Sequence, residues 1–354
     1  MAEKFLLQEL SILAGKVSAA ESLPKDLKER LGQLVDRLNR IAQTTSYSQE
    51  FDTLSTYIDT VLSIPWGQFT KDNLDLANAR GILDKNHFGL EEVKERILQH
   101  LAVRKLLQSQ KQGMDPQKAP VLCLVGLQGV GKTTIARSIA ESLGRKFVRI
   151  AMGALGSTVE LRGRSKSFPD AEPGQVVKAL IHSRSRNPLI LLDEMDKVSG
   201  EMGLRADFMA ILLELLDPEQ NSSFQDHYLD YPLDLSEVMF VGSANGTGTF
   251  SAALMDRLEI IQMPSYSDSQ KEVIIKNYLL PKVMLASGLA ANQLSFSDEV
   301  WPKLIRPLGY DSGIRSLQRI VEAICRKTAL LLVEWKLDKV TITSENIKEY
   351  LPKY

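Results

Sequence analysis

Pro120-Val-Leu-Cys-Leu-Val-Gly-Leu-Gln-Gly-Val-Gly-Lys-Thr-Thr-Ile135 is the stretch on which the fold turns. Val121 to Val125 form an apolar, β-prone run, and Ile135, Ile139 and Leu143 recur at helical spacing behind it. Between them Gly126-Leu-Gln-Gly-Val-Gly131-Lys132-Thr133 fits G-x-x-x-x-G-K-[ST]. The pattern alone is weak. A buried strand before it and a helix after it separate a phosphate loop from an ordinary glycine-rich turn. Gly126, Gly129 and Gly131 let the backbone turn sharply and approach an anion with no Cβ in the way. Successive N–H groups then point into the loop, and the following helix presents its positive end. Lys132 is placed to reach the β- and γ-phosphates, and the Thr133 hydroxyl to hold Mg2+. The residues expected to hold ATP are Gly126, Gly129, Val130, Gly131, Lys132, Thr133 and Thr134.

Strands and helices alternate outward from this loop, from 120 to about 262. Candidate strands are Val121–Val125, Phe147–Ile150, Leu189–Leu192, Val238–Gly242 and Glu259–Met263. That alternation predicts an α/β fold with a parallel sheet covered by helices on both faces. Leu189-Ile-Leu-Leu-Asp193-Glu194 is an apolar strand ending in carboxylates. Asp193 would hold Mg2+ directly or through water, and Glu194 would polarise the attacking water, which distinguishes hydrolysis from simple binding. Asn245 follows the fourth strand. It is either a water-orienting amide or a turn residue before Gly246. Arg257 is either an arginine supplied to a neighbouring subunit's nucleotide or a surface partner of Asp256. Arg315 either reaches nucleotide or sits in solvent. Local sequence leaves all three open.

The flanks are helical. Leu27, Leu31, Leu34, Leu38 and Ile41 recur at spacings of four and three, and Pro24 stands where a helix can begin. The run falls short of the ~3–4 heptads that argue for a coiled coil, so a helical hairpin packed on the rest of the chain is expected. Thr44–Ser48 breaks the pattern. A further helix then carries Phe51, Leu54, Tyr57, Ile58 and Val61, and Pro65 and Gly67 stop it. Two helices are expected over 75–110, with a polar loop over 108–118. After Pro264 the chain returns to helices, with Leu294-Ser-Phe and Lys339-Val-Thr-Ile-Thr as the strand-like pieces. Three regions result: a helical segment at 1–70, a nucleotide-binding α/β domain at 71–265, and a small, mostly helical domain at 266–354.

The composition fits an ordinary globular protein, with 44% apolar and 25% charged residues. A net charge of −1, with no run of five like charges, argues against a dedicated nucleic-acid surface. Cys123 and Cys325 lack partners at metal-ligand spacing and read as buried small hydrophobes in a reducing compartment. The expected setting is the cytoplasm, or the mitochondrial matrix in a eukaryote. There is no secretory h-region and no apolar run near the ~18 residues of a membrane span. The absence of an Asn-Lys-x-Asp motif argues against GTP.

Several stretches resemble the Lon family of AAA+ proteases. They include Tyr57-Ile-Asp-Thr-Val-Leu-Ser-Ile-Pro-Trp66, the phosphate loop, and Leu191-Leu-Asp-Glu-Met-Asp-Lys197. The match is densest at Leu212-Leu-Glu-Leu-Leu-Asp-Pro-Glu-Gln-Asn221 and Phe224-Gln-Asp-His-Tyr-Leu229. It resumes at Ala253-Leu-Met-Asp-Arg257 and Ser312-Gly-Ile-Arg315-Ser-Leu. The resemblance runs in order from about residue 50 onward. It implies an AAA+ P-loop sheet with Asn245 as sensor 1, Arg257 as arginine finger and Arg315 as the sensor-2 arginine. It also implies a homo-oligomeric ring, a hexamer, that holds ATP between subunits and acts on polypeptide.

Two departures from the family stand out. Leu127-Gln128 replaces a pair of prolines in the phosphate loop, and ATP binding is expected to survive that change. The family's pore loop carries an aromatic-aliphatic pair. Here the matching stretch keeps Phe168 but has Pro169 in the aliphatic place, with Asp170 and Glu172 added, and a weaker or altered grip on polypeptide is expected. No stretch resembles the family's Ser-Lys peptidase motif, so peptidase activity is not expected of this chain, and a separate peptidase domain or subunit is a candidate partner. The rival expectations are an ATP-gated scaffold with little translocation and a nucleic-acid-dependent ATPase.

Overall fold

The computed structural model describes residues 2–44, 49–109, 120–198, 202–305, 313–335 and 337–351. The expected break at Thr44–Ser48 falls outside them beyond Thr44, and the loop over 108–118 beyond Ser109. Contacts divide the chain into two compact units. One comprises Met1–Leu74, Val103–Cys123 and Ala140–Glu259, and the other Asp75–Ala102, Leu124–Ile139 and Ile260–Tyr354.

The chain opens with three helices, α1 (Ala2–Ala19), α2 (Lys25–Thr44) and α3 (Gln49–Ser63). The seam read from the heptads faces inward: Leu27, Leu31 and Leu38 are fully buried. Leu10, Leu13 and Val17 of α1 and Phe51, Tyr57, Ile58 and Val61 of α3 are buried as well. The expected hairpin is therefore a three-helix bundle. Trp66 closes it, donating its indole N–H to Val61 O at 2.8 Å.

Next come α4 (Leu76–Asn86) and α5 (Glu91–Ser109), then β1 (Val121–Val125), α6 (Lys132–Leu143), β2 (Phe147–Ala151), α7 (Thr158–Arg162), α8 (Gln175–Ser183) and β3 (Leu189–Asp193). They are followed by α9 (Met202–Leu216), α10 (Pro218–Asn221), the pair β4 (Phe224–Asp226) and β5 (Tyr231–Leu233), β6 (Met239–Ala244), α11 (Ala252–Met255) and β7 (Leu258–Gln262). Five strands form one sheet in the order β2-β3-β6-β1-β7. β2 and β3 pair in parallel with Arg149 opposite Leu191, and β3 and β6 pair in parallel with Ile190 opposite Phe240. Every residue of β3 and β6 is buried, as expected of strands covered on both faces. On β6, a Cβ at Gly242 would lie 2.8 Å from Met195 Sδ and 3.2 Å from Cys123 Sγ, so a side chain there would have to displace Met195.

The antiparallel pair β4–β5 is absent from the expected strands. Each arm has three residues and Pro232 lies in the second, so neither carries a legible alternation.

The C-terminal part holds α12 (Asp268–Ile274), α13 (Leu280–Ala286), β8 (Leu294–Phe296), α14 (Trp301–Ile305), α15 (Arg315–Trp335), β9 (Val340–Ile342) and α16 (Ile347–Tyr350). The two strand-like pieces pair in parallel, Leu294 opposite Val340. Around them Trp301, Leu304, Leu317, Ile320, Ile324 and Cys325 make a separate apolar core. Neither cysteine forms a disulfide, and both are buried. No helix among the described residues is long and apolar enough to cross a membrane.

His87, after α4, is buried against α6. Its Nε2 lies 2.8 Å from Ser138 Oγ, which also accepts from Asn86 Nδ2 at 3.0 Å. Burial, reinforced by the Lys94 ammonium, draws its pKa down to about 4. In the unfolded chain the ring titrates near 6.5, so below that pH the unfolded state takes the proton first. Stability is full above pH ~6.5 and falls by up to about 1.4 kcal/mol per pH unit as pH drops towards 4. Urea midpoints at pH 7 and 5 are expected to differ in the native protein and to converge in His87→Gln. Unchanged divergence in the variant would assign the effect to another group.

Candidate nucleotide site

The phosphate loop takes its shape from contacts within its own unit. Gly129 and Gly131 have φ of 82° and 101°, which a side chain would strain. Gly126 admits no Cβ, since one would lie 2.6 Å from Met263 O. Val130 is fully buried and anchors the loop from beneath. The Tyr266 hydroxyl donates to Val130 O at 3.2 Å, and burial pushes that phenol up to about 12. Lys132 turns its ammonium onto the loop's own carbonyls, Gly126 O at 2.5 Å and Leu127 O at 3.1 Å. A cation held at the loop by weak neutral acceptors suits an incoming phosphate. Thr133 is half-buried, and Thr134 donates to Gly131 O at 2.8 Å. Leu127 is half exposed, so the departure at 127–128 leaves the floor of the cradle intact.

The start of α15 packs on this loop. Ile314 N–H donates to Gly129 O at 3.1 Å. A Cβ on Gly129 would sit 3.3 Å from Arg315 N, and one on Gly313 would sit 2.5 Å from Gln128 O. Arg315 therefore begins its helix directly at the phosphate loop. Tyr266 and Gly313 were not legible as loop supports, because a tyrosine after a strand and a glycine before a helix have many uses.

In the other unit, β3 ends at Asp193, which is nearly fully buried. Arg149 Nε donates to Asp193 Oδ2 at 2.5 Å, and the Ser243 hydroxyl donates to Asp193 Oδ1. Ser243 Oγ in turn accepts the Glu194 N–H at 3.1 Å. Glu194 adopts φ 60°, ψ 46°, a left-handed conformation uncommon for a side-chain-bearing residue. Its carboxylate pairs with Lys197 at 2.8 Å. Gly153 leaves room for it: a Cβ there would lie 3.2 Å from Glu194 Oε2. Arg149 and Ser243 went unread. A lone arginine in a strand and a serine ending one show their use only when the strands are in register.

Asn245 follows β6 and is half-buried. Arg257 is held by Asp217 at 2.9 Å, not by the adjacent Asp256. Asp217 also caps α10 through Glu219 N–H, and that bond, with Arg257, draws its carboxyl below the usual range. Arg257 thus has a fixed base and a guanidinium at the surface.

The loop with Phe168 lies between α7 and α8. Gly163, with φ 81°, starts it and Gly174 ends it. Phe168 is half exposed at its crest. The Arg164 guanidinium lies 4.9 Å from the centre of that ring and pairs with Asp170. Lys178 binds Glu172 at 2.7 Å. Both added acids therefore have basic partners within the loop and α8.

The phosphate loop follows β1, Asp193 ends β3, and Glu194 and Asn245 follow β3 and β6. Residues 122–266 match the family model for the AAA ATPases, the ATPase family associated with various cellular activities. The chain therefore carries an AAA ATPase domain, a class that binds ATP. Residues 286–341 match the model for the Lon protease AAA+ ATPase lid domain. Lon protease of Halothermothrix orenii is 41% identical over 333 residues, 93% of this chain and 41% of that protein. Lon protease 1 of Bacillus subtilis is 41% identical over 345 residues, 98% of this chain and 43% of that protein. The two family-model matches together make an AAA+ module of the Lon type. The chain spans about two fifths of the length of these relatives.

Proposed function

We propose that this chain hydrolyses ATP within a homo-oligomeric, hexameric ring and uses turnover to pull on and unfold polypeptide, with no peptidase site of its own. In this reading Lys132 neutralises the β- and γ-phosphates. Glu194 takes the proton of the attacking water, Asn245 orients that water, and Arg257 of a neighbouring copy stabilises the charge that develops. Arg315 reports the nucleotide to the lid. Thr133 and Asp193 would hold Mg2+. The donor set fits, because the Asp193 oxygen now balanced by Arg149 is one that a cation satisfies. Mg2+ supplies charge neutralisation of the phosphates. A peptidase acting on the same polypeptide would be a separate domain or subunit. The work is set in the cytoplasm, where free thiols stay reduced.

The observation that supports the polypeptide half is Phe168. It stands exposed on a loop tied down by ion pairs and a glycine base, the form expected of a side chain that grips a strand of protein. A second reading, an ATP-gated scaffold, is favoured by Pro169, which takes the place of an apolar gripping side chain.

Two measurements test this. Turnover per protomer is expected to climb with protein concentration and then saturate, as a site completed by Arg257 of a neighbour requires. A tagged substrate is expected to unfold only with ATP, at a rate at least about fivefold lower in Phe168→Ala. ATP turnover without unfolding in the native chain would favour the scaffold.

A further inference from the structure

The loop bearing Phe168 runs from Gly163 to Gly174. A cavity of about 750 Å3 lies beside it, walled by Arg164 to Phe168, by Val159 of α7 and by the β4–β5 turn. What fixes the loop is its base. Asp226, at the end of β4, is fully buried. Its Oδ2 accepts the Gly174 N–H at 2.8 Å, while Oδ1 accepts those of Tyr228 and Leu229 at 2.9 and 3.1 Å. Gly163 presses on the same carboxylate, so closely that a Cβ there would lie 2.7 Å from Oδ1. His227 N–H donates to Arg162 O at 2.7 Å. The loop is thus pinned to the β4–β5 turn at both of its ends.

That turn is in turn pinned to the N-terminal bundle. Arg30 of α2 donates to Asp230 O at 2.8 Å and to Asp230 Oδ2 at 2.6 Å. Asp230 sits at φ 49°, a conformation that fixes which way its carbonyl faces. Tyr57 of α3 donates its hydroxyl to Leu229 O at 2.8 Å and packs its ring 5.7 Å from that of Tyr228. Lys166, inside the loop, places its ammonium 4.5 Å from the centre of the Tyr57 ring. Tyr231 donates to Asp26 at 3.0 Å. The contacts named here between bundle and loop run through Tyr57 and through residues 228–231.

We propose that the β4–β5 turn is a strut by which the N-terminal bundle sets the position of the Phe168 loop, with Arg30 and Tyr57 as positioning residues for polypeptide engagement. The proposal rests on the reading of that loop as the polypeptide-gripping element. Neither residue touches the nucleotide groups, so loss of the strut separates engagement from basal turnover. Packed two-state elements linked in this way typically couple by 2- to 30-fold effects.

The test uses the full chain with Arg30→Met, which keeps the stem of a part-exposed side chain, and Tyr57→Phe, which keeps the buried ring. Hydrogen exchange of the peptide spanning 163–174 is read beside ATP turnover with and without an unfolded protein such as casein. In both variants loop exchange is expected to quicken at least about fivefold. Polypeptide stimulation should fall by at least about threefold, with basal turnover within about twofold of native. Arg30→Lys, which retains one donor, should recover part of the loss. Unchanged loop exchange would overturn the strut whatever happens to stimulation. Faster exchange with full stimulation would overturn the coupling. If the native protein shows no stimulation at all, the gripping role of the loop fails, and loop exchange alone decides whether the strut exists.

Discussion

Glu194→Gln is expected to bind ATP as the native protein does and to hydrolyse it at least about 100-fold more slowly, a loss of about 2.7 kcal/mol of transition-state stabilisation. Glutamine matches glutamate in size, so the left-handed backbone, the N–H bond to Ser243 and the space beside Gly153 are all retained. What disappears is the carboxylate proposed to take the proton of the attacking water. The ion pair with Lys197 also disappears, but it is part-exposed and contributes little to stability. The measurement is steady-state turnover beside equilibrium binding of a fluorescent ATP analogue. Native turnover in the variant would remove Glu194 as the base. Loss of binding along with turnover would mean that the substitution had damaged the site and not the chemical step.

Asp72→Asn is expected to destabilise the protein by about 3 kcal/mol and to lower its melting temperature by about 5–10 °C. Arg145, just after α6, points inward and binds both carboxylate oxygens of Asp72, at 2.6 and 2.7 Å, and Glu237 O at 2.7 Å. Only 1% of the Arg145 side chain and 9% of the Asp72 side chain is exposed. With asparagine in place, the guanidinium stays buried and loses its counter-charge, and the amide meets it with a donor. The penalty is that of an unpaired charge, not the net worth of the pair. The double variant Asp72→Leu with Arg145→Met should therefore recover most of the loss, since apolar replacement of a buried pair is often neutral. Calorimetry on the three proteins decides. A single variant that melts within about 1 °C of native would show that water reaches Arg145.

The strands of the sheet were legible almost to the residue, because each is a short apolar run closed by turn residues or carboxylates. Leu189–Leu192 was expected where Leu189–Asp193 is found, and Phe147–Ile150 where Phe147–Ala151 is found. The phosphate loop was legible for a different reason. Backbone approach to an anion tolerates only glycine at set positions, and one lysine must follow them, so the requirement is written locally. Resemblance to a family added names for Asn245, Arg257 and Arg315 that local sequence left open.

Other features were not legible in the chain. β4 and β5 are too short for a period. The heptads of α2 fix an inward face but not how many helices share it, and α1 completes the bundle. Arg257 could have paired with its neighbour Asp256, yet the fold brings Asp217 to it from 40 residues away.

The sequence by itself determined the periodic and the backbone-limited features: sheet strands, helix faces, the glycines of the phosphate loop, and the acids that end β3. Each depends on residues within a few positions of one another. The tertiary structure alone decided which polar groups hold those features in place: Ser243 on Asp193, Asp217 on Arg257, Asp226 on Gly163 and Gly174, and Arg30 on Asp230. Such partners are chosen by strand register and by the packing of distant segments. A carboxylate or hydroxyl suits many neighbours equally well until the chain is folded around it.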